Sequence, residues 1–181
     1  MKTLDQFIKD WTNKPVDTDG VYPNQCMDLM HQYLIDCFGI TDPAVLAAPS
    51  ARLVYENFDN LKGHEKFDRF ANTPNGVPVK GDIFVFKNPM GWDSVAKIYR
   101  GHVCIFLEGN VWNFRSFDAN FGLSLPHIQD HTYDGALGWL RFRGTPQMND
   151  TQKVNAITIV MQSKKPIDAN GDNQIRKILG L

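Results

Sequence analysis

The sequence lacks a long apolar run and an excess of charge of either sign. A helix that crosses a bilayer needs about 20 mostly apolar residues, and no window approaches this length. The 19 basic and 20 acidic residues leave a net charge of -1, so the overall balance does not favour nucleic acid as a partner. The first residues also lack the apolar core of a signal peptide. We therefore expect no membrane insertion, no nucleic-acid partner and no export by the usual secretory route.

Cysteine is scarce as well. The three cysteines, Cys26, Cys37 and Cys104, form neither an even set nor a C-x-x-C pair, which argues against a disulfide framework and a zinc site. A free cysteine in a folded domain usually packs as a small apolar residue. We predict that role for Cys37, near the end of a helix, and for Cys104, within an apolar strand. Cys26 has a position that suits chemistry.

The composition is otherwise that of an ordinary globular protein. Apolar residues make up 43% and charged residues 22%, and 181 residues suit one domain with a real core. We predict a catalytic domain over residues 1–144. Residues 145–181 form a polar C-terminal segment of unknown role, with one apolar run at 156–161.

Hydrophobic periodicity changes along the chain from helical to strand-like. Apolar residues at steps of three and four predict three helices: one over 4–11, one capped by Asn24 and stopped by Gly39, and one after Ser50. Four later segments are rich in β-branched and aromatic residues and are predicted strands, at 82–86, 101–107, 111–117 and 138–143. Helices followed by antiparallel strands indicate an α+β fold, with N-terminal helices packed on an antiparallel sheet.

Cys26 lies in the first turn of the second predicted helix. Unpaired backbone N–H groups there favour the thiolate, which is the nucleophilic form of a thiol. The backbone N–H of Cys26 is also a sensible donor to an oxyanion, with Gln25 as a weaker candidate. The position therefore predicts a nucleophile.

A nucleophilic thiol needs a base, and His102 is the histidine that fits best. It opens a strand directly after a glycine, whereas His31 is five residues after Cys26 and is rotated about 140° away from it on the helix. His127 and His131 follow a proline and turn residues, which favours loop side chains over an i,i+4 metal pair. The remaining histidine, His64, lies among charged residues and is expected to be solvated.

The strand that begins at His102 and the next one are expected to form a hairpin. A three-residue loop at 108–110 would pair His102 with Ser116. Alternation would then place His102 on one face with Ser116 and Asp118, and a hydrogen bond from His102 to Asp118 would be within reach. This argument nominates Asp118 to orient the base.

Four sequence blocks together resemble the CHAP family, the cysteine, histidine-dependent amidohydrolases/peptidases. They are D-T-D-G-V-Y-P-N-Q-C-M-D-L at 17–29, G-D-I-F-V-F at 81–86, G-H-V-C-I at 101–105 and D-A-N-F-G at 118–122. The likeness covers about residues 11–143 in the family's order. Many relatives have E-Q-N-W where this chain has D-A-N-F, so the carboxylate here is one methylene shorter.

The resemblance implies a papain-like fold and a cell-wall substrate. It implies Cys26 as nucleophile, His102 as base, and Asp118 with Asn120 as the residues that orient the histidine. The expected activity is hydrolysis of an amide bond of bacterial peptidoglycan, as an N-acetylmuramoyl-L-alanine amidase or a peptide-bridge endopeptidase. The expected setting is a bacteriophage endolysin made in the host cytoplasm, or a lysin carried in the virion.

Two other functions fit the same residues. An acyl or amide transferase or ligase could use the same triad, because water and amine acceptors need the same nucleophile. A non-catalytic virion or wall-binding module is the third possibility.

The segment before Cys26 also resembles a calcium loop. Its positions 1, 3, 5, 7 and 12 are occupied by Asp17, Asp19, Val21, Pro23 and Asp28, the middle two through backbone carbonyls. Position six is a tyrosine where a glycine is usual, and position twelve is an aspartate where a glutamate would chelate better. Some CHAP relatives bind calcium at the equivalent aspartates, so we expect calcium as a structural cofactor here.

Overall fold

The computed structural model describes residues 1–87, 92–94, 97–120 and 125–144. Its helices are α1 (Leu4–Trp11), α2 (Cys26–Phe38) and α3 (Ala51–Glu56), and single 3-10 turns follow at Phe58–Asn60 and His64–Lys66. Its strands are β1 (Phe67–Ala71), β2 (Ile83–Phe86), β3 (Trp92–Asp93), β4 (Ile98–Tyr99), β5 (His102–Gly109), β6 (Asn113–Asp118), β7 (His127–Thr132) and β8 (Ala136–Phe142). The C-terminal segment 145–181, with its apolar run, lies outside the described residues.

Six of the strands form one antiparallel sheet in the order β1-β8-β2-β5-β6-β7, and β3 pairs with β4 separately. All four residues of the central strand β2 are buried. Ile83 and Val85 belong to the core that the three helices cover, while Phe84 and Phe86 belong to an aromatic core on the other face. The predicted α+β fold with N-terminal helices on an antiparallel sheet is confirmed.

The second helix begins one residue later than the predicted cap implies. Gln25 is the N-cap, and Cys26 is the first helical residue. Asn24 instead has a left-handed backbone, with φ of 68°, and its side chain accepts a hydrogen bond from the backbone N–H of Val16 at 2.8 Å. The prediction that Asn24 caps this helix was therefore wrong. The predicted stop at Gly39, with φ of 66°, is confirmed.

The block that begins at Gly81 joins three parts of the fold. The Tyr33 hydroxyl of α2 donates to the Gly81 carbonyl at 3.1 Å. The next residue, Asp82, is buried and accepts two hydrogen bonds from Arg141 of β8, at 2.9 and 2.8 Å. Such a two-pronged pair fixes both position and angle. These contacts fix the start of β2 against α2 on one side and against β8 on the other.

The hairpin between β5 and β6 differs from the predicted one. Glu108 and Gly109 belong to β5, and the turn is made by residues 110–112. Asn110 nucleates this turn because its side-chain oxygen accepts from the backbone N–H of Trp112 at 2.8 Å. The predicted loop at 108–110 was therefore wrong.

The register changes accordingly. Ser116 lies opposite Phe106, not His102, and the register shifts between Phe106 and Glu108. The pairing of His102 with Ser116 was wrong by four residues. Because four is even, the alternation of faces is preserved. His102 and Asp118 still meet.

Candidate functional site

Cys26 occupies the first position of α2 and is half-buried. The other two cysteines are buried. Burial, with the neighbouring Asp36 carboxylate, raises the pKa of Cys37 to about 12. Burial likewise raises the pKa of Cys104 well above its usual range. Cys37 and Cys104 therefore remain neutral thiols at physiological pH, and Cys26 is the one of the three cysteines that solvent reaches.

His102 is the first residue of β5 and is 3% exposed. Its Nε2 atom hydrogen-bonds to Oδ1 of Asp118, and its side chain also hydrogen-bonds to Cys26. The thiol, the imidazole and the carboxylate thus form one connected chain, which joins α2, β5 and β6.

The residue before His102 has to be glycine. Gly101 has φ of 76°, and a Cβ at this position would meet the Phe86 carbonyl oxygen and, at 2.7 and 2.8 Å, Cβ and N of Arg52. The Arg52 N–H is one of the first in α3 and donates to the Arg100 carbonyl at 3.0 Å. This close approach sets where β5 begins and hence where His102 lies.

Asp118, the last residue of β6, is fully buried. Its Oδ2 atom accepts from the Ser116 hydroxyl and lies 3.1 Å from Nε2 of His131. Burial raises the pKa of Asp118, but the hydrogen bonds from His102 and His131 outweigh it and hold the pKa at about 2. The carboxylate is therefore charged throughout the physiological range.

The charge on His102 follows from the same contacts. Burial lowers its pKa, but the hydrogen bonds to Asp118 and Cys26 outweigh burial and raise the pKa to about 10. The imidazole is then protonated at neutral pH, beside the thiol. A cationic imidazole beside a sulfur atom is the setting in which a cysteine can act as a nucleophile.

The other two predicted site residues flank the elements that carry these contacts, Asn120 after the end of β6 and Gln25 before the start of α2. Asn120 is exposed and has a left-handed backbone, with φ of 59°. Gln25 precedes Cys26 as the helix N-cap and is half-buried. It therefore lies beside the nucleophile.

His131 is the contact of Asp118 that the sequence reasoning missed. His127 and His131 lie on β7, so their assignment to a loop was wrong. The His127 side chain contacts the Leu125 carbonyl at 3.0 Å, whereas His131 is buried against Asp118. The alternation His-Ile-Gln-Asp-His-Thr could have indicated a strand, but its inward side consists of polar residues, which conceals the usual apolar period.

The calcium-loop aspartates come together ahead of α2. Oxygen atoms of Asp17, Asp19 and Asp28 lie within 4.8 Å of one another. Asp28 is buried and accepts from the backbone N–H and the hydroxyl of Thr18, both at 3.0 Å, and from the backbone N–H of Gln25 at 2.9 Å. It therefore links the loop directly to the start of the helix that carries Cys26.

The donor set suits calcium. Carboxylate oxygens are the ligands that this hard cation prefers. One oxygen of Asp17 accepts a hydrogen bond from the backbone N–H of Gly20 at 2.7 Å, and one oxygen of Asp19 accepts from that of Val21 at 2.8 Å. Tyr22, at the position where a glycine is usual, adopts the required left-handed backbone, with φ of 54°.

A second group of possible metal donors consists of His102, Cys104 and Asp118, also within 4.8 Å of one another. Its three members are buried, and the raised pKa of Cys104 opposes the thiolate that a metal would need. His102 and Asp118 already bond to each other. This group is better explained by the histidine–carboxylate pair and a packing cysteine.

In the part of the chain that the structure describes, the helices are too short or too polar to span a membrane.

No family model and no curated protein matches the sequence. Among solved structures, the chain is similar to the endolysin LysIME-EF1, with 25% identity and a TM-score of 0.56, over 78% of this chain and 64% of that one. It is also similar to Ly7917, solved with the hydrolyzing product of MDP, with 13% identity and a TM-score of 0.53, over 79% and 64%. The second likeness concerns the fold alone. The chain thus spans about 64% of the length of each.

Proposed function

We propose that the chain is a peptidoglycan hydrolase of the endolysin kind, of the CHAP type, that cleaves an amide bond through Cys26. The observation that carries the proposal is the continuous chain from the half-buried thiol at a helix N-terminus, through His102, to the buried Asp118. A nucleophile, a base and a group that orients the base are the three parts that acyl transfer needs. The likeness to an endolysin supports the same choice.

The first half of the reaction forms an acyl-enzyme. Nε2 of His102 is engaged by Asp118, so the proton that the imidazolium shares with the Cys26 thiol is held on Nδ1. The Cys26 sulfur attacks the carbonyl carbon of the amide, and His102 returns the proton to the nitrogen as the C–N bond breaks. The amine leaves, and a thioester to Cys26 remains.

The second half regenerates the enzyme. His102 removes a proton from water, the hydroxide attacks the thioester carbonyl, and the sulfur leaves as thiolate, which releases a carboxylic acid. In both halves the oxyanion can accept from the backbone N–H of Cys26, which lies in the first turn and has no acceptor within the helix. The Gln25 side chain, one residue earlier, is a second donor.

Peptidoglycan as the partner is supported by the likeness to LysIME-EF1, which is an endolysin. The bond is either the N-acetylmuramoyl-L-alanine amide or a peptide bond of the bridge. We propose a phage-encoded protein made in the host cytoplasm that acts on the wall, or is carried there in the virion.

The experiment compares purified variants on purified cell walls. Cys26→Ser and His102→Asn should abolish wall lysis with an unchanged circular dichroism spectrum, whereas Cys37→Ala, the matched control on the same helix, should keep most activity. Mass spectrometry of the released muropeptides identifies the bond. Undiminished lysis by Cys26→Ser would contradict the mechanism, and products joined to an added amine would indicate a transferase.

We also propose that calcium binds Asp17, Asp19 and Asp28, with the carbonyls of Val21 and Pro23 completing the shell. Three carboxylates within 4.8 Å repel one another, and a bound cation would relieve that repulsion. Because Asp28 holds both Thr18 and Gln25, the ion would stiffen the segment that presents Cys26. It supports the nucleophile's position and takes no part in proton transfer.

Chelation should lower the melting temperature and the lytic rate together, with recovery on calcium and only weak recovery on magnesium. Asp19→Ala should mimic the chelator, while Asp130→Ala, an exposed aspartate on β7, should not. If calorimetry detects no binding at millimolar calcium and chelation changes neither property, calcium has no role here.

A further inference from the structure

Asp118 makes more contacts than are needed to orient one histidine. Its Oδ1 atom serves His102, while Oδ2 accepts from Ser116 and lies 3.1 Å from Nε2 of His131. Asp118 and His131 are 0% and 6% exposed, so little water competes for these contacts. Both oxygens of the carboxylate are thus engaged by protein groups.

His131 reaches Asp118 from an unexpected place in the sheet. On β7 it lies opposite Phe114, and the residue opposite Asp118 is His127. Ser116 occupies the inward position between Phe114 and Asp118, and its small side chain leaves room for the His131 ring to approach the carboxylate. Ser116 and His131 then converge on the same oxygen.

The His131 ring is fixed by its aromatic surroundings. Its centroid lies 5.3 Å from the ring of Phe86 and 5.3 Å from the ring of Phe114. A phenylalanine would pack between these rings at least as well as a histidine. Histidine adds a polar contact to Asp118 that phenylalanine cannot make.

We propose that His131 and Ser116 are positioning residues that lock the Asp118 carboxylate at the angle His102 requires. The inference rests on the proposed function and deepens it. Two donors on Oδ2 leave Oδ1 directed at His102. The titratable groups that face this cluster are His102 and Cys104 from β5 and Cys26 from α2, and Cys104 is a neutral thiol.

The test uses His131→Phe, which keeps the aromatic packing and removes the donor. His127→Phe is the matched control, because it makes the same substitution on the same strand at a residue whose ring contacts Leu125 and Gln129 instead. His131→Gln is the rescue, because its amide restores an N–H donor. Three properties are measured: the melting temperature, kcat and KM on a soluble muropeptide, and the rate at which iodoacetamide alkylates Cys26 at pH 7, followed by peptide mass spectrometry.

His131→Phe should lower kcat about tenfold with little change in KM, and it should slow alkylation of Cys26 by a similar factor. His127→Phe should change neither, and His131→Gln should recover much of both. Ser116→Ala removes only the hydroxyl that donates to Oδ2 and should lower kcat several-fold in the same pattern. This variant keeps the test decisive if His131→Phe fails to fold.

Equal kcat and alkylation rates in His131→Phe and His127→Phe would overturn the inference, as would a His131→Gln protein no better than His131→Phe. Alkylation reports on the Cys26–His102 pair without turnover. Lysis that survives Cys26→Ser would therefore overturn the proposed function, while a normal alkylation rate in His131→Phe would overturn the positioning role alone.

Discussion

Asp118 is the residue whose role depended most on geometry. From the sequence, Asp118 and Asn120 are both expected to orient the histidine, and the Asp118 side chain is short. In the structure Asp118 contacts His102 directly, while Asn120 is exposed. Whether the carboxylate can contact His102 depends on the backbone as well as on side-chain length. Here β6 ends at Asp118, which brings the carboxylate next to the imidazole.

Asp118→Asn should therefore lower kcat by about a hundredfold or more and leave KM nearly unchanged, because it loosens the imidazole without altering the substrate groove. Steady-state kinetics on a soluble muropeptide measures this. Asn120→Ala is the comparison and should cost much less. If turnover survives Asp118→Asn and falls in Asn120→Ala, Asn120 orients His102 and Asp118 leaves the site.

Stability should depend on pH through His102. Its folded pKa is about 10 against an ordinary 6.5, so the stabilisation is complete below about pH 6.5 and is lost as the pH rises through 10. We expect the unfolding free energy of the native protein, relative to His102→Gln, to decline across that window by a few kcal/mol.

Denaturant unfolding at pH 6, 8 and 10 measures the difference. Cys37 and Cys104, whose pKa values are raised by burial, also destabilise the fold at alkaline pH, but they do so in both proteins and cancel. A difference that stays constant from pH 6 to pH 10 would mean that His102 is not the charged partner of Asp118.

At the scale of elements, the start of β5 is set by a contact with α3. Gly101 combines a left-handed backbone with close approach to Arg52 and the Phe86 carbonyl. A side chain there must displace α3 or β2, and His102 moves with β5. The site thus depends on a glycine that takes no part in chemistry.

Gly101→Ala should lower the unfolding free energy by roughly 3 kcal/mol or more, from backbone strain and overpacking together, and should reduce activity further than stability alone explains. Gly20→Ala is the matched control, since Gly20 has nearly the same φ, 75°, and a Cβ added there would meet no atom within 4 Å. It should cost only about 1 kcal/mol. Equal losses in the two variants would show that strain alone, without the contact to α3, accounts for the effect.

At the scale of the whole molecule, the described side chains of the proposed site, from Cys26 to His131, all lie within residues 1–144. In the same part of the chain, β8 lies between β1 and β2 in the sheet. A chain that ends at Gly144 should therefore fold cooperatively and cleave soluble muropeptides at a rate close to that of the full chain. Thermal unfolding and muropeptide kinetics test this. Insolubility would mean that the run 156–161 completes the core.

The sequence by itself determined the features that depend on local periodicity. Alternating and helical spacing identify α2, β2, β5 and the α+β class, because each residue's face follows from its neighbours in the chain. The first-turn position of Cys26 and the strand position of His102 follow in the same way. The prediction that His102 and Asp118 share a face of the sheet was right although the predicted loop was wrong, because the register error was an even number of residues.

Only the tertiary structure decided what depends on pairing between distant segments. The register of β5 with β6 is set by the turn at Asn110 and by a bulge in the pairing. The spacing of apolar residues in the sequence indicates neither feature. The edge strand β7 was missed because its inward side carries polar groups, including His127 and His131. His131 acquires a role only because the fold buries it against Asp118, where an unpaired carboxylate would be costly and two further donors stabilise it.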